Sequence, residues 1–460
     1  MDPTTDLLAG VRGAILDADD PAYDTARAVY NAMIDRRPET IVRCADAADV
    51  IAVVDYARQT GTPLSVRGGG HNAVGLGVCD GGVVADLSPM RGVRVDPHAR
   101  TVRVGGGATW GDVDHATHAF GLAVPTGVIA STGVGGLTLG GGHGYLTRKL
   151  GLTIDSLLEA DVVLADGSLV TASADENADL FWALRGGGGN FGAVTSFLFR
   201  GHPIATVHAG PMLWEVEDAA DVLRWYREWL PAAPRDAYAF FAFLEVPPGP
   251  PFPEALHGKT MCGLVWCHTG TRAEVQEALQ AARDVRPPAF EAVGEMPVPA
   301  LNSMFDPLYP PGLQWYWKGD FVKSIPDEAV RRHVEHGPKL PTMHSTMHLY
   351  PVDGAVHDVG QNETAFAYRD AVWSTVYVGV DPDPRKREPI TAWARDYWEA
   401  LHGFSMGGSY VNFLMDEGED RVRATYRGNH ERLAAIKAAV DPGNLFSSTQ
   451  NIRPERRVAS

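Results

Sequence analysis

Cysteine is scarce, with four in 460 residues, too few for a disulfide scaffold. The nearest pair, Cys262 and Cys267, lies in the apolar run KTMCGLVWCHTG. If that run is a strand, the two sulfurs fall on opposite faces, which disfavours a disulfide or a shared zinc. Nowhere is there an apolar run of about 18 residues, and the opening stretch MDPTTDLLAGVRGAILDADD has no basic segment leading into an apolar one. A cytoplasmic protein with no membrane partner is expected. Basic charge is also short: 40 Lys and Arg against 57 Asp and Glu give a formal charge of −17. That argues against nucleic acid as a partner. It leaves room for a phosphate-bearing ligand, because backbone N–H groups can hold one. The patterns G-x-x-x-x-G-K-[ST] and H-E-x-x-H are absent, so common ATPase and zinc-protease readings lose their support.

What remains is an ordinary globular composition, 45% hydrophobic and 21% charged, at a length for roughly two to four domains. Strand and helix signals alternate over the first 200 residues. Strands are expected at 39–45, 63–70, 82–90, 92–97, 101–107 and 191–200, and helices at 46–61, 109–121 and 177–186. Residues 157–173 read as a hairpin turning at Asp166-Gly167. From about 205 to 405, proline clusters and alternating apolar runs lie between amphipathic helices at 273–285 and 390–403. This pattern predicts one antiparallel sheet with helices on one side. The tail reads as a helix over 428–446.

Glycine is the outlier, at 50 of 460. It clusters at RGGGHN (67–72), VGGGATWGD (104–112), TGVGGLTLGGGHG (132–144) and RGGGGNFG (185–192). One such cluster is usually a tight turn; four near strand ends point to a cradle of backbone N–H groups around a dinucleotide. Gly187, Gly189 and Gly192 match G-x-G-x-x-G, but a helix precedes them and a strand follows. The Rossmann order is the reverse, so that reading is rejected.

The segments SVRGGGHNAVG (65–75), TGVGGLTLGGGHGYLTRKLGLTIDSL (132–157), VVLADG (162–167), LFWALRGGGGNFGAVTSF (180–197), YVN (410–412) and VDPGNLFSSTQNIRP (440–454) together resemble the FAD-linked oxidases of the berberine bridge enzyme type. These belong to the vanillyl-alcohol oxidase fold superfamily, and the layout is similar to that of bacterial nicotine-oxidising members. The resemblance implies an α+β protein. An FAD-binding domain split in sequence, residues 1–205 plus a returning segment 410–460, would flank a substrate domain, 206–409, with an antiparallel sheet. It implies FAD bonded through its 8α-methyl group to His71; read alone, His71 is a loop histidine. Ile129 stands where many relatives have a second, cysteinyl attachment, so one covalent link is expected. Arg67, Gly68, Gly69, Gly70 and Asn72 would hold the pyrophosphate from one side. Gly127, Thr132, Gly133, Gly136, Gly140, Gly141, Gly142 and His143 would line the other side and the ring, with Val194 at the adenosine end and Asn412 and Asn451 reaching the ring. His143 is open to a second reading, as a satisfied core histidine.

The implied reaction is hydride transfer from a small alcohol or amine to flavin N5, with molecular oxygen as acceptor. The alternatives are a dehydrogenase using another acceptor and a flavin-binding protein without turnover. Many relatives take their base from the second Tyr of Y-x-N-Y. Here Tyr410-Val411-Asn412 is followed by Phe413. The run MHSTMHLYP (343–351) reads as a strand with His344, Thr346, His348 and Tyr350 on one face, which offers His344 and His348 as bases or as packing groups. Trp315 and Trp317 share one face of LQWYWKGDF (313–321), as an aromatic slot or a core face. Tyr368, Arg369 and Tyr410 complete the catalytic candidates.

Overall fold

Three sheets follow one another along the chain. The protein is described here from a computed structural model covering residues 8–455. The first sheet holds β1 (Ala14–Leu16), β2 (Thr40–Arg43), β3 (Leu64–Arg67) and β4 (Val83–Asp86) in the order β1-β2-β4-β3, with β2, β4 and β3 parallel. The helix Ala47–Thr60 connects β2 to β3. It begins where Asp46 accepts from Ala48 N and Asp49 N and stops at Gly61, whose φ of 71° suits glycine.

The second sheet is antiparallel, with β5 (Val93–Asp96), β6 (Thr101–Gly105), β7 (Leu157–Val163), β8 (Leu169–Ser173) and β9 (Ala193–Arg200) in the order β5-β6-β9-β7-β8. The expected hairpin at Asp166-Gly167 is present, between β7 and β8. The helix Ala178–Leu184 does precede the G-x-G-x-x-G glycines, and β9 follows them.

The third sheet is the largest. Its strands are β10 (Thr206–Glu215), β11 (Ala237–Glu245), β12 (Thr260–His268), β13 (Phe290–Glu291), β14 (Gly294–Pro297), β15 (Gln314–Val322), β16 (Thr346–Pro351) and β17 (Trp373–Asp381). The order is β13-β10-β12-β11-β16-β17-β15, with β14 also on β10, and every pairing is antiparallel. Helices Ala219–Ala232, Arg272–Val285, Asp327–His336 and Arg387–His402 cover one face through Leu223, Tyr226, Leu279, Val330 and Tyr397. The opposite face carries Tyr238, Phe240, Trp315, Tyr350 and Val378. Cys262 and Cys267 fall on opposite faces of β12, as their spacing predicts.

The expected arrangement of an antiparallel sheet with helices on one side is therefore present, but several element ends differ: the strands expected to reach 70 and 90 end at Arg67 and Asp86, and the helix expected to reach 121 ends at His118. The run at 343–351 becomes a strand only from Thr346, after a turn in which Thr342 Oγ1 contacts Ser345 Oγ at 2.7 Å. The tail helix ends at Val440, not 446. Beyond it the Asp441 carboxylate accepts from Leu445 N (2.7 Å) and Phe446 N (2.9 Å), folding the next residues into a loop. From 411 to 452 the chain packs back on the second sheet through Val411, Leu414, Tyr426, Leu433 and Ile452. Among the described residues no helix is long and apolar enough to cross a membrane.

Candidate active site

A cavity of about 350 Å³ lies between the glycine loops of the first two sheets and the helix-free face of the third, within the usual range for a small-molecule site. The loop after β3 brings Gly68, Gly69, Gly70, His71 and Asn72 to it. Asn72 stiffens that loop by accepting from Val74 N and Leu76 N at 3.1 and 3.3 Å. Opposite stand Gly127, Ile129, Thr132, Gly133 and Gly136, with Val194 at one end.

The glycines have separate jobs. A Cβ on Gly69 would lie 2.5 Å from Gly133 N, and one on Gly133 would lie 2.3 Å from Gly69 N, so the two loops touch backbone to backbone. Gly136 is different. It is exposed, and a Cβ there would meet no protein atom within 4 Å. Its open side faces the cavity. Gly140, Gly141 and Gly142 do not line the cavity. Side chains there would strike Asn412, Phe366 and Thr153 respectively, at 2.8 Å or less, so these glycines admit their neighbours and not a ligand.

Arg67 reaches the cavity wall, but its Nη2 lies 2.8 Å from Asp86 Oδ2, and both side chains are buried. Its Nη1 has no partner among the described residues. His71 stacks on Tyr30 with ring centroids 3.9 Å apart and planes 19° apart. Its Nε2 is 3.1 Å from Ser131 Oγ. Burial brings the imidazole down to about 4, so it is neutral near pH 7.

The far wall holds Tyr410, Asn412 and Phe413. Tyr410 Oη accepts from Gly142 N (3.0 Å) and Asn412 Nδ2 (2.7 Å), and burial raises its phenol. His348 also lines the cavity, with its imidazole held down to about 3 by burial. His344 does not. It sits in the turn before β16, where its carbonyl accepts from Tyr309 Oη at 3.3 Å. Tyr368 and Arg369 also lie elsewhere: Tyr368 donates to Ala424 O (2.9 Å), and Arg369 pairs with Asp155 through two 2.7 Å contacts. His143 lines the cavity, yet neither ring nitrogen has a partner among the described residues. It is therefore not a satisfied core histidine. Trp315 and Trp317 both face the cavity.

Asn451 is absent from the lining, and its neighbours Ser448, Thr449 and Gln450 take the place expected of it. Sequence reasoning also missed Tyr30, Ser131, Gly106, Gly188, Gly189 and Gly192 as individual site residues. The glycines lay inside clusters already singled out, which was the available signal. Tyr30 and Ser131 carry no local motif, since their roles depend on contacts with His71 made by distant segments.

Comparison with known proteins gives a consistent picture. The family model described as an FAD binding domain matches residues 38–173, and that described as berberine and berberine-like matches 409–453. An uncharacterized FAD-linked oxidoreductase of Bacillus subtilis (strain 168) is 31% identical over 97% of this chain and 98% of its own length. The (R)-6-hydroxynicotine oxidase of Paenarthrobacter nicotinovorans is 42% identical over 40% of each chain. The crystal structure of 6-hydroxy-D-nicotine oxidase from Arthrobacter nicotinovorans superposes with a TM-score of 0.86 at 26% identity, covering 97% of this chain and 98% of that one.

Proposed function

The chain belongs to the FAD-linked oxidoreductases of the berberine-like type, and from that premise we propose that it holds FAD by one covalent bond from His71 and oxidises a small alcohol or amine with dioxygen as acceptor. The observation that carries the reading is His71 itself, a neutral imidazole at the edge of a glycine-lined cavity. With Nε2 engaged by Ser131, Nδ1 is left for the flavin. Ile129 offers no second nucleophile on the facing loop.

The residues fit the group. Gly136 presents open backbone on the cavity side, and the touching pair Gly69 and Gly133 keeps two loops close enough to share one ligand. Arg67, with one guanidinium nitrogen unpartnered, supplements the backbone donors for a diphosphate. Tyr410 and Asn412 would meet the ring. Bound FAD supplies a two-electron hydride acceptor; the protein's part is to orient substrate, keep out water and take the proton. The same reading divides the chain into 1–205 and 410–460 for the flavin and 206–409 for the substrate, a division supported by the packing of residues 411–452 on the second sheet.

Acid precipitation tests the covalent bond. Yellow colour and flavin fluorescence are expected to stay with the wild-type polypeptide and to leave with the supernatant in His71→Ala. Flavin released by the wild type removes the covalent claim. Hydrogen peroxide formed in proportion to substrate under air supports dioxygen as acceptor; turnover only with an added dye assigns a dehydrogenase instead. A flavin that no alcohol or amine reduces assigns a binding protein.

A further inference from the structure

The cavity wall supplied by β15, β16 and β17 is mainly apolar and aromatic, with Trp315, Trp317, Val376 and Val378. Its polar groups run in one line along β16: Thr346, His348 and Tyr350. They bond in series, and the direction of each bond is fixed. Thr346 Oγ1 lies 2.7 Å from the Phe243 carbonyl oxygen, which only accepts, so the hydroxyl proton points there. The 3.0 Å contact between Thr346 Oγ1 and His348 Nε2 then takes its proton from the imidazole. A neutral ring protonated at Nε2 carries its lone pair at Nδ1. Tyr350 Oη, 2.5 Å from that atom, donates to it. The phenol oxygen is left with lone pairs and a committed proton.

Beside it stands His143, its ring centroid 5.4 Å from that of Tyr350 and 4.5 Å from that of Tyr410. It is 5% exposed with both nitrogens unpaired. A buried polar group in that state is completed by an ordered water or by a bound molecule in the cavity.

We propose that Tyr350 is the catalytic group that takes the proton of a substrate hydroxyl, that His348 is the positioning residue drawing Tyr350's own proton onto Nδ1, and that the substrate is an uncharged, flat, hydroxyl-bearing small molecule. The proposal rests on the oxidoreductase reading above and narrows it. Among the described residues no Asp, Glu or Lys lines the cavity, and the one ionised residue found there, Arg67, is paired with Asp86. A cationic amine would find no counter-ion there, and a sugar would leave several hydroxyls against Trp and Val. In the step, the substrate O–H bond breaks as its proton passes to Tyr350 Oη, and the Tyr350 proton passes to His348 Nδ1, whose positive charge is offset by the negative charge that leaves with the hydride. The C–H bond at the carbinol carbon breaks with its electron pair, which leaves as hydride for the flavin, and a C=O bond forms.

The holoenzyme is titrated with phenol, benzylammonium and cellobiose near pH 7, and binding is followed by the flavin difference spectrum. Phenol is expected to saturate and to bind at least about tenfold more tightly than the other two. Tyr350→Phe is expected to weaken phenol by about tenfold or more while leaving toluene unchanged. A smaller preference, or an unchanged phenol affinity in the variant, overturns the proposal. A ligand-free measurement tests the relay: in protein labelled with ¹⁵N-histidine, with His348→Asn assigning the resonance, His348 is expected as the Nε2–H tautomer. Thr346→Val is expected to release it to a tautomer mixture, a change that packing alone does not produce. A proton on Nδ1 in the wild type overturns the relay. Either failure in protein that retains flavin removes this proposal and leaves the oxidoreductase reading standing; protein that holds no flavin removes that reading with it.

Discussion

Gly69 and Gly136 are both glycines of the cavity, yet their substitution separates folding from binding. At Gly69 a methyl group meets backbone that cannot yield. Gly69→Ala is expected to cost about 2 kcal/mol or more in a urea titration, by the overpacking penalty, and to lose flavin. Gly136→Ala meets no protein atom. It is expected to unfold at the wild-type urea concentration, while its flavin content falls because the methyl group takes the ligand's space. Asp114 makes a third case. Burial lifts its carboxyl to about 7, against the hydrogen bond from Asn302 Nδ2 (2.8 Å), which pulls it down. Its folded value is raised, so the folded state holds the extra proton between the unfolded value and about 7, and stability falls as pH rises through that window. Asp114→Asn keeps an acceptor for Asn302 and removes the ionisation. It is expected to gain up to about 4 kcal/mol near pH 8, at ~1.4 kcal/mol per pKa unit, and much less near pH 5, in urea midpoints at both values.

The loop following the helix Asn429–Val440 is held by one buried cluster. Lys437 Nζ donates to Asp441 Oδ2 (2.6 Å), Asn190 O (2.6 Å) and Phe446 O (3.0 Å), while Asn190 Oδ1 accepts from Thr449 Oγ1 (2.8 Å) and Ile452 N (2.9 Å). Lys437 and Asp441 are fully buried. Lys437→Met leaves the carboxylate alone and is expected to cost about 3–5 kcal/mol in denaturant unfolding. Lys437→Met with Asp441→Leu is expected to recover much of that stability, since the uncompensated charge has gone. The flavin content of both variants is expected to fall, because Phe446, Ser448, Thr449 and Gln450 are cavity wall.

Local patterns show where such elements exist but not where they end. The Asp46 cap and Gly61 stop are local chemistry, so that helix was read to within a residue at each end. The tail helix is shorter than its sequence pattern predicts because what ends it is Asp441 collecting backbone donors downstream. Asn451 is expected at the ring only from the family resemblance; the place of Gln450 in the wall is set by a 3.1 Å bond to Leu414 O on another segment. His344 was put on a strand by alternation, but the turn bonds of Thr342 and Ser345 win there.

For the whole molecule, the arrangement of the flavin-type loops was legible because glycine, histidine and asparagine recur there in a fixed order. The substrate wall was legible only as faces, Trp315 with Trp317 and Thr346 with His348 and Tyr350, because side-chain bonding across strands has no local signature. Burial of several neutral imidazoles has a global effect. His71 is held at about 4, and His143, His333 and His348 at about 3. The unfolded chain therefore binds more protons than the folded one between these values and about 6.5, and stability falls as pH drops through that interval. Urea midpoints are expected to decline from about pH 6.5 toward 4. His333→Gln, remote from the cavity and 3.0 Å from Tyr397 Oη, is expected to flatten that decline without altering flavin content.

The cavity draws on residues from Tyr30 to Gln450. A nascent chain leaving the ribosome therefore presents His71 and most of its glycine loops long before Phe446, Ser448, Thr449 and Gln450 emerge. The cofactor has a complete berth only once the chain has been made through Gln450, so full capture waits until the strands of all three sheets have been synthesised.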